Sequence, residues 1–85
     1  MANLLLVEDD ASVRQIVILQ LSLVGYDVRA AEDAGQARRM MEEKKPDLAI
    51  LDIMLPGEDG FSLAETMMER AVPVLFLTAK TAVSD

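Results

Sequence analysis

Eighty-five residues with a net charge of −7, no cysteine and no histidine make one small domain, of a size at which the hydrophobic core is marginal. A composition that is 52 % hydrophobic excludes a disordered chain, and the acidic balance argues against nucleic-acid binding, which needs clustered Lys and Arg. Without thiols or imidazoles there are no disulfides, no zinc-type site and no histidine general base. Any metal site is therefore all-oxygen, suited to Mg2+, Ca2+ or Mn2+.

The first element is Leu4-Leu5-Leu6-Val7, short, continuous and apolar as a fully buried strand is. Asp9, Asp10 or Ser12 can cap the helix that follows, which runs to about Val24 and is ended by Gly25. Tyr26 to Ala30 alternates apolar and polar residues, the pattern of an edge or half-buried strand. Asp33 caps a second helix, through Ala37, Met40 and Met41 to about Lys44, with basic residues expected near its C-terminal end. Pro46-Asp47 breaks it, and Leu48 to Leu51 is the third strand. A loop rich in Pro and Gly, residues 56–60, leads to a short helix from about Phe61 to Glu69. Pro73 then introduces a fourth apolar strand, Val74 to Leu77.

This β-α-β-α-β-α-β order implies right-handed crossovers and an α/β doubly wound parallel sheet. In such a sheet the carboxyl ends of the strands share one rim, where ligands bind. Glu8-Asp9-Asp10 ends the first apolar run and Asp52 ends the third, so three or four carboxylates are expected to converge. A cluster of that kind repels itself unless protons or a hard cation relieve it. Two further features point to partner structure. The fourth strand is apolar on both faces, which suits a central position. The first helix carries Ile16, Ile18, Leu19 and Leu23 around its main stripe of Val13, Val17, Leu21 and Val24, a breadth that expects another packed helix.

Leu4 to Val7 is too short for a signal-peptide core and lacks a basic flank. No apolar run approaches the roughly 18 residues of a membrane span. A reducing cytoplasm is the expected location.

The segments Val7-Glu8-Asp9-Asp10, Pro46 to Gly57, Gly60, and Pro73 to Lys80 together resemble bacterial response-regulator receiver domains of two-component systems, in order and spacing over the whole chain. The resemblance implies a flavodoxin-like sheet of strand order 2-1-3-4, with the family's fifth strand and last two helices absent, so that residues 1–85 form a partial receiver domain. It implies that Asp52 is the phosphoacceptor, a carboxylate nucleophile phosphorylated by a histidine kinase in a step that the domain partly catalyses itself. Glu8 and Asp9 correspond to the acidic pair that holds Mg2+, the first often through water, with Asp52 and the Met54 backbone carbonyl as further ligands. Thr78 corresponds to the residue whose hydroxyl bonds a phosphoryl oxygen, assisted by the Ala79 amide. Lys80 matches a position that influences phosphoryl lifetime, or is a solvated surface lysine. The family's lysine at the end of the fifth strand and its aromatic switch residue have no counterpart.

A second expectation follows from those departures: a signalling-incompetent fragment that self-associates, as a homodimer or by strand exchange, through its exposed edge. A phosphatase of the haloacid dehalogenase type is disfavoured, because Met54 stands where that motif has its second Asp.

Overall fold

A computed structural model describes residues 2–53, 55 and 60–77. In chain order the elements are β1 (Asn3–Val7), α1 (Ala11–Leu23), β2 (Asp27–Ala31), α2 (Ala34–Glu43), β3 (Leu48–Asp52), α3 (Gly60–Glu69) and β4 (Val74–Leu77). The four strands form one sheet in the order β2-β1-β3-β4, and every pairing is parallel. This is the doubly wound arrangement expected from the alternation of elements.

Side chains alternate across a strand, and the two faces of β1 and β3 feed two cores. Leu5, Val7, Ala49 and Leu51 pack with Ala34, Ala37 and Met41 of α2 and with Leu63, Ala64 and Met67 of α3. Leu4, Leu6 and Ile50 meet Val17, Ile18 and Leu21 of α1 on the other face. Burial on both faces explains why β1 and β3 read as unbroken apolar runs.

The helix ends have identifiable chemistry. Asp10 caps α1, its Oδ1 accepting from the amides of Ser12 at 2.8 Å and Val13 at 3.2 Å. Of the three candidate caps, Asp10 takes the role and Asp9 does not. Helix α1 closes with Tyr26 N–H donating to the Leu21 carbonyl and Gly25 N–H to that of Ser22, with Gly25 at φ 99°. That is the Schellman geometry, in which glycine carries the left-handed residue. Helix α3 closes in the same way through Val72 N–H to Met67 O and Ala71 N–H to Met68 O, but there Ala71 occupies the left-handed position at φ 64°.

Helix α2 corrects one expectation. Its last turn contains no basic residue; Arg38 and Arg39 sit mid-helix, and Lys44 is the capping residue itself. The carbonyls at this end are satisfied from outside: Arg29 of β2 donates to Met40 O at 3.1 Å and to Lys44 O at 2.5 Å. Arg38 instead crosses to α3, donating to the Thr66 hydroxyl at 3.0 Å.

The breadth of apolar surface on α1 has no cover among the described residues. Ile16, Leu19 and Leu23 are 57 %, 61 % and 76 % exposed, as is Val24 of the main stripe at 71 %, whereas Val17, Ile18 and Leu21 pack against the sheet. Strand β4 lies at the end of the described sheet, paired with β3, and Leu75 is more than half exposed.

Candidate functional site

Register builds the site. In the β1–β3 ladder Val7 stands opposite Leu51, so Glu8 and Asp9 leave β1 at the level where Asp52 ends β3. One carboxylate oxygen from each of Glu8, Asp9 and Asp52 lies within 4.8 Å of the others. Glu8 is buried, Asp52 half-buried and Asp9 exposed, so the cluster has a dry side and a wet side. The convergence expected from strand order is present for these three residues. Asp10 is drawn away to its helix-capping position.

The connection after β1 is tightly held. Glu8 N–H donates to Ala31 O at 3.1 Å, tying the turn to β2. The Glu8 Oε2 accepts from Asp10 N–H at 3.0 Å. Arg14, one turn into α1, reaches back so that one guanidinium nitrogen donates to Glu8 O at 2.9 Å and Asp9 O at 3.3 Å. Its other terminal nitrogen is 3.9 Å from the Glu32 carboxylate. Sequence reading gave Arg14 no role. The available signal was a cation near the start of a helix, where the macrodipole favours anions.

Burial raises the pKa of Glu8 from an ordinary 4.5 to about 6, and the negative charges of Asp52 and Asp9 add to that rise; the Asp10 amide opposes it by stabilising the carboxylate. A carboxyl group strained in this way is relieved either by a proton or by a cation. The donor set fits the second choice: carboxylate oxygens only, with no imidazole or thiolate in the chain, which selects a hard ion of the Mg2+ type over zinc or copper. Mg2+ keeps several waters and takes few carboxylates, and the exposed side at Asp9 leaves room for water. Met54, Thr78, Ala79 and Lys80, each given a place in the sequence-based reading, lie outside the described residues.

Comparison with known proteins agrees with this geometry. The family model for the response regulator receiver domain matches residues 4–85. The phosphate regulon transcriptional regulatory protein PhoB of Pseudomonas aeruginosa is 37 % identical over 82 residues, covering 92 % of this chain and 36 % of that protein. The probable transcriptional regulator ycf27 of Porphyridium aerugineum is 37 % identical over 84 residues, covering 98 % of this chain and 35 % of that protein. The chain thus spans about a third of the length of these curated relatives. Among solved structures, the response regulator TrrA of Thermotoga maritima, in complex with Mg(2+)-BeF, is similar with a TM-score of 0.87 at 30 % identity, over 93 % of this chain and 70 % of that one. The non-phosphorylated HemR receiver domain of Leptospira biflexa gives a TM-score of 0.85 at 34 % identity, over 94 % and 66 %. With its sheet order and a family match over nearly its whole length, this chain belongs to the response regulator receiver domains of two-component systems.

Proposed function

We propose that the chain accepts a phosphoryl group on Asp52 from the phosphohistidine of a histidine kinase, with Mg2+ held by Glu8, Asp9 and Asp52. The observation that carries this reading is the meeting of these three carboxylates at the carboxyl edge of the sheet. In the transfer, an Asp52 oxygen forms a bond to phosphorus while the bond from phosphorus to the histidine nitrogen breaks, and the imidazole leaves with the electron pair. Both reactants are anionic, so the step is slow without charge compensation; a divalent cation held by Glu8, Asp9 and Asp52 would supply that compensation.

The chain's own residues prepare the acceptor. Strand β3 fixes Asp52 through its ladder with β4, where it stands opposite Leu77. Half-burial limits its access to water. The buried Glu8 carboxylate faces the acceptor from β1, which favours occupation of the cluster by a cation over three free charges. The Met54 carbonyl as a further ligand and the Thr78 hydroxyl as a phosphoryl contact are assigned by their motif positions. Receiver domains are signalling domains, and the role proposed here is that of a phosphoacceptor, not a turnover enzyme. A cytoplasmic setting fits a kinase partner of this kind, and no described helix is long and apolar enough to cross a membrane.

The test uses beryllofluoride, a phosphoryl mimic that binds an acceptor carboxylate. In fluorine NMR, a bound beryllofluoride signal is expected with Mg2+ present, lost on chelation, and absent in Asp52→Asn. A signal that survives in Asp52→Asn would rule out Asp52 as the acceptor.

A further inference from the structure

We propose that Arg14 is a positioning residue of the cation site, its guanidinium clamping the backbone carbonyls of Glu8 and Asp9 so that their carboxylates are held together at the rim. This role rests on the receiver reading of the acidic cluster and deepens it. The placement of Arg14 is electrostatically costly. It closes the first turn of α1, where its backbone N–H donates to Asp10 O at 2.9 Å, and a cation there opposes the helix dipole. The side chain is nevertheless half-buried and folds back over the turn it follows.

Its partners account for that choice. One terminal nitrogen bonds two successive carbonyls, at 2.9 Å to Glu8 and 3.3 Å to Asp9. These belong to the two residues whose carboxylates enter the cluster. The other terminal nitrogen points to Glu32, at 3.9 Å, just beyond β2. The planar fork therefore links α1, the acidic turn and the end of β2, an arrangement that a single lysine ammonium does not reproduce. Fixing both carbonyls fixes the orientation of the peptides that flank Asp9, the most exposed of the three acids and the one with most freedom to swing into solvent.

Charge and positioning predict opposite signs, which makes the role testable. If Arg14 acted through its charge alone, removing it would tighten cation binding, because one repelling positive charge is lost. If it acts by positioning, removal weakens binding. Groups that orient metal ligands typically contribute about ten- to hundredfold in affinity, and a clamp on the backbone belongs at the lower end, about tenfold.

Mg2+ affinity is measured by isothermal titration calorimetry on the 85-residue chain, well below the unfolding temperature, for the wild type, Arg14→Ala, Arg14→Lys and Asp9→Asn. Unfolding without metal is followed separately. Arg14→Ala is expected to weaken Mg2+ binding about tenfold, with Arg14→Lys losing less. A role confined to stability would lower the unfolding temperature and leave the Mg2+ affinity unchanged. Unchanged or tighter binding in Arg14→Ala, with binding lost in Asp9→Asn, would overturn the role of Arg14 alone. No saturable binding in the wild type would overturn the site reading and the Arg14 role with it. Should Arg14→Ala not fold, Arg14→Lys decides: wild-type affinity in that variant, which keeps the charge and loses the fork, would overturn the clamp.

Discussion

Gly60→Ala is expected to destabilise the fold by about 3 kcal/mol, the upper range for forcing an atom into a packed interior. A Cβ at Gly60 would lie 2.7 Å from the backbone oxygens of both Asp52 and Ile53, and 3.0 Å from the Ile53 Cα. All three are main-chain atoms, so no side chain can turn aside to make room. Gly60 opens α3 and its N–H donates to Ile53 O at 3.2 Å, so the helix start is pressed directly on the end of β3. The strain therefore falls on the residue that carries the acceptor carboxylate, and beryllofluoride binding should weaken along with the fold. Gly35→Ala is the matched comparison. Its Cβ would meet nothing closer than Asp33 Oδ1 at 3.5 Å, within α2, so it should be neutral or stabilise by up to about 1 kcal/mol. Urea denaturation of the two variants checks the contrast. A Gly60→Ala protein as stable as the wild type would mean that α3 does not start against the end of β3 as described.

Glu8→Gln is expected to stabilise the metal-free protein by about 2 kcal/mol above pH 6, and by nothing below pH 4.5. The sign follows from the direction of the shift. The folded-state pKa of Glu8 lies near 6, above the ordinary 4.5, so the folded state binds the proton more tightly than the unfolded one. The stability linked to that proton is fully present below pH 4.5 and is lost as the pH rises through 6. Above that point the wild type holds a buried carboxylate beside Asp52 and Asp9, whereas the amide in the Glu8→Gln variant is neutral at every pH and its oxygen can still accept the Asp10 N–H. The informative quantity is the difference between variant and wild type across pH. Saturating Mg2+ should shrink or reverse that difference, because the ion stabilises the form that bears all three charges. A difference that is flat from pH 4.5 to 6 would contradict the electrostatic account of the cluster.

Much of the fold was legible in the sequence, and the places where reading slipped have local causes. Leu4 to Val7 and Leu48 to Leu51 were recognisable as strands because burial on both faces leaves uninterrupted apolar runs, and Val74 to Leu77 carries the same kind of run although Leu75 is exposed. Strand β2 begins one residue later than its alternating pattern implied, at Asp27. The reason is that Tyr26 N–H is spent closing α1 on Leu21 O, which leaves it outside the ladder. The end of α3 carried no glycine signal, since Ala71 takes the left-handed position that Gly25 takes after α1. The C-terminal carbonyls of α2 are served by Arg29, eleven and fifteen residues away in sequence; no rule based on the helix's own residues finds such a partner.

The site followed the same division. Glu8, Asp9 and Asp52 could be grouped from sequence because parallel strands deliver their carboxyl ends to one rim, and the register of Val7 with Leu51 does so here. Asp9, Asp10 and Ser12 each have the chemistry and position of a cap, and the structure gives that role to Asp10. Once Asp10 is the cap, Asp9 is left for the cluster. Arg14 was invisible for a related reason: its bonds run to backbone carbonyls, which leave no complementary residue type in the sequence.

The central claim is that Asp52 is a carboxylate acceptor assembled with Glu8 and Asp9, and one measurement addresses it most directly. The chain is incubated with acetyl phosphate and Mg2+, reduced with borohydride, which converts an aspartyl phosphate to homoserine, and mapped by tandem mass spectrometry. The account predicts homoserine at position 52, dependent on Mg2+ and strongly diminished in Asp9→Asn. Homoserine at another aspartate, or none at position 52 under conditions where beryllofluoride binds, would contradict it.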